Sequence, residues 1–179
     1  MRCEWANDDL MIKYHDQVWG KETHDEIKLF KMLVLEGMQA GLSWLTILKK
    51  EQAYSDAFDQ FDYHKIASYN TEKIVSLYDY PGIIHNKNKI HSIITNAQCF
   101  IKIQKEYGSF DAFIWQFTHH PLRHAVKCFK DLPAKDELSE KIAKILKSYG
   151  FKYVGPVIIY SYLQAIGVYN DHIIGCEYE

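Results

Sequence analysis

The chain is poor in the residues and patterns that mark several protein classes. It contains no run of about 20 apolar residues, which argues against a membrane-spanning helix. Its opening, MRCEWANDD, has neither a basic leader nor an apolar core for secretion, so a cytoplasmic protein is expected. Four cysteines, Cys3, Cys99, Cys128 and Cys176, are too few for the disulfide framework of a small secreted domain, and leave thiols or metal ligands as the expected states. Positive charge is not in excess either. The formal net charge is −2, so any attraction to nucleic acid must come from local patches and backbone amides. Period-2 alternation, which would signal half-buried strands, does not persist over a useful length.

What is present is apolar and helical. An apolar fraction of 47% in 179 residues suffices for a packed core. Helical periodicity recurs over 25–36, 43–58, 71–78, 86–106, 109–116, 136–149 and 156–166, with Gly, Pro, Asn and Asp between the segments. The expected fold class is all-α, without a linker, low-complexity tract or solenoid repeat.

One charge interrupts this pattern. Leu29, Leu33, Glu36 and Ala40 follow i, i+4, i+7, i+11 spacing, so Glu36 shares a stripe with apolar residues. A carboxyl there either sits at the polar edge of its helix or is buried, with a raised pKa or a partner, and kept for a ligand. Gly37 and Gly41 weaken a helix interior, so the helix is expected to end after Glu36, turn through Gln39-Ala40-Gly41-Leu42, and restart with Ser43 as N-cap. Leu42 is expected to be exposed in that turn.

A second signal follows the stripe Leu138, Ile142, Ile145 and Tyr149. Gly150 is placed as a C-cap with positive φ, Gly155 permits close approach of the backbone, and Pro156 suits the first position of the next helix. Such a turn is either an ordinary glycine-capped helical hairpin or one whose free amides, with the helix dipole behind them, bind a DNA phosphate. Lys152 stands at its tip. The turn Tyr80-Pro81-Gly82-Ile83-Ile84 echoes it.

Near the ends lie Cys3 and His15 on one side and His172 and Cys176 on the other. Two thiolates and two imidazoles form a closed structural zinc set, and His172 and Cys176 would share a face if their segment were helical. Spacing alone leaves this weakly specified among nine histidines. Cys99 and Cys128 are expected to act as small core hydrophobes.

Tyr14-His15-Asp16 with Trp19-Gly20, Leu35-Glu36-Gly37 running into Gln39-Ala40-Gly41-Leu42-Ser43-Trp44, and Gly150-Phe151-Lys152-Tyr153-Val154-Gly155 with Asn170-Asp171-His172 together resemble the bacterial 3-methyladenine DNA glycosylase I family, of the helix-hairpin-helix DNA glycosylase superfamily. The resemblance runs from Cys3 to Cys176. It implies a single glycosylase domain over 1–179, with the helix-hairpin-helix near 136–167 and the termini joined by one structural zinc on Cys3, His15, His172 and Cys176, and no organic cofactor. It further implies hydrolysis of the N-glycosidic bond of 3-methyladenine in alkylated double-stranded DNA, releasing the free base and leaving an abasic site.

Residue by residue, Glu36 matches the family's base-recognising carboxylate, and Trp5, Tyr14 and Trp44 its aromatic pocket. Leu42, with Gln39 and Gly41, is expected from its place beside that pocket to act as a wedge into the DNA stack, and Lys152, Val154 and Gly155 are expected to contact DNA at the hairpin. Asn170 stands where related glycosylases carry an assisting aspartate, and Val157 where strand-cleaving relatives carry a lysine, so no lyase activity is expected. Met11 departs from the family pattern: it replaces a pocket tyrosine, loses a hydroxyl and a π face, and bears on base selectivity. A monomer is expected. Two other classes compete with the glycosylase: a silent DNA-binding module that keeps the clip and hairpin, and a binder of a small cationic ligand that has no use for DNA.

Overall fold

Polar side chains set where the helices begin. Asp8, Asp25, Ser43, Asp62, Asn70, Asn86, Ser109 and Asp136 each accept a hydrogen bond from a backbone N–H of the first turn that follows. The computed structural model describes residues 1–118 and 120–179. In chain order the helices are α1 (Asp9–Gln17), α2 (Glu26–Gln39), α3 (Trp44–Leu48), α4 (Glu51–Ala57), α5 (Tyr63–Ala67), α6 (Thr71–Leu77), α7 (Lys87–Tyr107), α8 (Phe110–Trp115), α9 (Glu137–Tyr149) and α10 (Pro156–Ala165), with 3-10 turns at Asp59–Phe61 and Phe129–Asp131. Among the described residues there is no strand, and one isolated parallel bridge joins Leu122 to Tyr169. No helix there is long and apolar enough to cross a membrane.

The core is built around α2. Nine of its residues, including Leu29, Phe30, Leu33, Leu35 and Glu36, are buried, and it packs against α3, α7, α8 and α10. α2 is therefore enclosed on most sides, and the stripe that carries Glu36 is part of the interior.

Several expectations are corrected by this packing. α2 does not end after Glu36 but continues through Gly37 and Met38 to Gln39. Gly37 is no helix breaker here: a Cβ at that position would lie 3.4 Å from the Tyr153 Cβ, so its bareness lets the loop before α10 pack on α2. The segment 43–58 is two helices, α3 and α4, separated at Lys49 and Lys50, where the Lys50 Nζ reaches the Gly82 carbonyl at 2.9 Å. The short helices α1 and α5 lie outside the segments that the periodicity marks. The segment holding His172 and Cys176 is not helical, so any meeting of those side chains is made by the loop path. Cys99 is buried, whereas Cys128 is only half-buried and its Sγ lies 3.6 Å from a Glu4 carboxylate oxygen.

Two devices hold the hairpin between α9 and α10. Gly150 takes φ +101° at the end of α9, which glycine adopts without strain. Buried Asn96 of α7 then brackets the loop, accepting from the Lys152 N–H at 2.8 Å and donating to the Lys152 carbonyl at 3.0 Å.

Candidate functional site

A cavity of about 240 Å³ opens between α1, α2, α3, α10 and the turn at 129–131. Its walls are largely aromatic: Trp5, Tyr14, Trp19, Trp44 and Phe129. Trp44 stands 5.0 Å from Tyr14 and Trp5 stands 5.1 Å edge-on to Trp19, ring centroid to centroid. Met11, Gln39, Ser161, Gln164 and Glu36 complete the lining. This volume is smaller than the roughly 300–1,000 Å³ usual for drug-sized ligands, and it suits one flat heterocycle.

Glu36 is 2% exposed, and its Oε2 is buried without a hydrogen-bond partner among the described residues. Desolvation pushes its pKa up to about 8, because no fixed cation compensates a charge there. Tyr14 is shifted up as well, by burial first and then by the nearby Glu36, and keeps its phenolic proton. The indole N–H groups of Trp5 and Trp44 are also buried without acceptors. A buried acceptor without a donor and two donors without acceptors around one aromatic cavity are costly for folding alone. They are the pattern of a site prepared for a polar, flat ligand.

The turn after α2 lies at the edge of this cavity. Gly41 has φ +80° with open space around it, Leu42 is exposed, and Gln39 lines the cavity. The buried Lys89 of α7 steadies the turn, its Nζ donating to the Met38 and Ala40 carbonyls at 2.7 and 2.8 Å. At the other hairpin, α10 starts at Gly155 with no side-chain cap, so its first-turn amides remain available, and Lys152 is exposed. Val154 is buried at 2% exposure, which removes its side chain from any DNA contact and leaves only its backbone.

Asn170 does not line the cavity. Its Oδ1 instead lies 2.7 Å from His172 Nδ1. That contact belongs to a separate, buried group where the ligand atoms of Cys3, His15 and Cys176 lie within 4.8 Å of one another. His172 is outside that set of three, but its ring is 4.6 Å from the His15 ring and its buried Nε2 has no partner. Burial, and secondarily His15, lower the His172 pKa to about 4, so its ring is neutral. Both imidazoles are oriented through Nδ1, His15 by Asp16 at 2.8 Å and His172 by Asn170, and the His15 Nε2 lies 3.6 Å from the Cys176 Sγ. Asp16 is in turn gripped by the Arg2 Nε at 2.9 Å and titrates well below the usual carboxylate range. Cys3, His15 and Cys176 bring two thiols and an imidazole nitrogen together, and His172 beside them offers a second imidazole, a donor set whose chemistry suits a soft metal.

Of the residues singled out from the sequence, Trp5, Met11, Tyr14, Glu36, Gln39 and Trp44 come together at the cavity; Asn170 does not. Sequence reasoning missed Trp19, Phe129, Ser161 and Gln164 as lining residues. Ser161 and Gln164 carry the i, i+3 spacing of one helix face, but α10 is so apolar that nothing in its pattern says which face meets a cavity.

The methyladenine glycosylase family model matches residues 5–179. The DNA-3-methyladenine glycosylase 1 of Escherichia coli is 42% identical over 177 residues, covering 98% of this chain and 95% of that protein. The DNA-3-methyladenine glycosylase of Haemophilus influenzae is 38% identical over 177 residues, covering 98% and 96%. Among solved structures, a variant of 3-methyladenine DNA glycosylase I in complex with 3-methyladenine superposes with a TM-score of 0.95 at 38% identity, covering 99% of this chain and 96% of that one.

Proposed function

Because the chain belongs to the methyladenine glycosylase family, we propose that it excises 3-methyladenine from alkylated DNA by hydrolysing the N-glycosidic bond, leaving an abasic site. The observation that carries this reading is the unpartnered Glu36 carboxyl beneath an aromatic cavity sized for one base.

The chemistry follows from the charge of the lesion. A purine alkylated at N3 is cationic while attached to the sugar, so it is attracted to aromatic faces and to a carboxylate, and it is a good leaving group. Glu36 stays protonated in the apolar cavity and ionises when positive charge arrives beside it; the resulting ion pair rewards the lesion and not neutral adenine. Trp44 and Tyr14 stack on the extruded base. Leu42 fills the gap left in the duplex, and the amides at Gly155, with Lys152, hold a phosphate. Met11 keeps that part of the wall apolar and polarisable, with no hydroxyl to donate. Strand cleavage would need an amine nucleophile, whereas the reaction proposed is simple hydrolysis, with water as the nucleophile.

Cys3, His15, His172 and Cys176 would hold one zinc ion that ties the terminal segments together. With four protein ligands it leaves no open position for substrate, and its contribution is to the fold.

The test is incubation of the purified protein with DNA carrying methylated purines, followed by chromatography of the released bases. Release of 3-methyladenine with the strand left intact is expected. No release above the spontaneous rate from protein shown to be folded would overturn the reading, and tight DNA binding without release would favour a silent binding module.

A further inference from the structure

One buried carboxylate near the cavity has no place in the chemistry above. Asp171 is 1% exposed and receives four contacts: the Tyr160 hydroxyl at 2.7 Å and the Gln164 Nε2 at 2.8 Å on Oδ2, and the His124 backbone N–H at 3.1 Å and its Nδ1 at 3.0 Å on Oδ1. Among these partners, Gln164 lines the cavity. The amide of a glutamine presents a donor on one side and an acceptor on the other. Nε2 gives one of its two N–H groups to Asp171, which holds the amide's donor end toward the carboxylate and leaves the carbonyl oxygen as its free acceptor. No donor among the described residues reaches that oxygen, and it is not among the sealed, unpartnered atoms of the interior, so it has access to the open space that the residue lines. The backbone is pinned too, since the Gln164 carbonyl accepts from the Gly20 N–H at 2.9 Å.

We propose that Gln164 is a specificity-determining residue of the cavity, offering its amide oxygen as an acceptor to an N–H edge of the bound purine, and that Asp171 is the positioning residue that keeps the amide turned this way. The proposal rests on the glycosylase reading, because it needs a base in the cavity. A carboxylate behind the amide polarises it and makes its oxygen a stronger acceptor for a cation. An extruded base that turned an acceptor edge toward Gln164 would meet oxygen against a lone pair.

Asp171→Asn tests the positioning in a specific way. The His124 backbone N–H demands an oxygen at the Oδ1 position, so the new NH2 group must take the Oδ2 position and face Tyr160 and Gln164. Gln164 then has to turn its oxygen to that donor and its own NH2 to the cavity. Free 3-methyladenine is titrated against wild type, Gln164→Met, Asp171→Asn and the double variant, with quenching of the cavity tryptophans as the readout and thermal melting as the check of folding. Each single change is expected to weaken binding of the free, neutral base by about three- to tenfold, the size of one net hydrogen bond. The double variant should bind within about twofold of Gln164→Met, since without the amide Asp171 has nothing left to orient. Wild-type affinity in Gln164→Met overturns the proposal, and additive losses reduce Asp171 to a structural group. If Asp171→Asn does not fold, the Gln164 side-chain amide protons of the wild type decide the positioning: slow exchange supports the anchor and fast exchange overturns it. A wild type that binds no 3-methyladenine would instead strike at the glycosylase reading itself.

Discussion

Glu36 is buried beneath the cavity with its Oε2 unpartnered among the described residues, so its ionised form is costly. Its carboxyl titrates near 8 in the folded protein and near 4.5 unfolded, so between those values the folded state holds the extra proton. Stability contributed by this group is therefore full below pH 4.5 and is lost as pH rises toward 8. Glu36→Gln cannot ionise and should track wild type near pH 4.5, then gain on it up to pH 8 and level off, by about 2–5 kcal/mol, in chemical denaturation followed across pH. Excision of 3-methyladenine by the same variant should fall roughly ten- to a hundred-fold, because the pocket loses a charged hydrogen bond while keeping its shape. Equal stability at all pH values with full activity would mean that the carboxyl is satisfied structurally.

At the scale of elements, two helix ends are braced by buried polar side chains. The turn after α2 is held from behind by Lys89, so Leu42 is presented on a braced loop. The start of α10 is braced by Asn96 on Lys152, so its free amides are set in place before any ligand arrives. Gly155 is an N-cap with φ −66°, a conformation open to any residue, and a Cβ there meets nothing within 4 Å. Gly155→Asp should consequently fold, while its carboxylate repels a phosphate at the helix start. The expected loss is about tenfold in affinity, equal for damaged and undamaged duplexes and smaller at high salt, as measured by fluorescence anisotropy. Unchanged binding would move the phosphate contact to another turn.

At the scale of the whole molecule, the first and last segments lie together. Beside the Cys3, His15, His172 and Cys176 group, the Met1 amine pairs with Glu177 at 2.6 Å and Arg123 pairs with Glu179 at 2.6 Å. Exposed ion pairs of this kind add little, so a metal on the buried donors would supply most of the closure. Elemental analysis is expected to find about one zinc per chain. Cys176→Ser should lose zinc and lower the melting temperature together, by about 5–10 °C, with normal activity in the protein that remains folded. Zinc content unaffected by that change would remove Cys176 from the ligand set.

Local chemistry determined much of this molecule before any packing was known. Ser43 and Asp136 as helix starts, Gly150 as a left-handed stop, the helical class, and the conflict posed by Glu36 in an apolar stripe all follow from interactions within a few residues. Resemblance added which aromatics stand around that carboxyl. Tertiary structure alone decided the rest, because the forces concerned act across the chain. Gly37 reads as a helix breaker in sequence and is a packing notch for Tyr153 in space. Asn170, the first residue of Asn170-Asp171-His172, turns to a histidine rather than to the cavity. Ser161, Gln164 and Phe129 reach the cavity only because α10 packs on α2 and Phe129 comes to rest beside Trp5 and Trp19, from distant parts of the chain. Cys3 and Cys176, separated by nearly the full length, become neighbours through a loop path that no periodicity encodes.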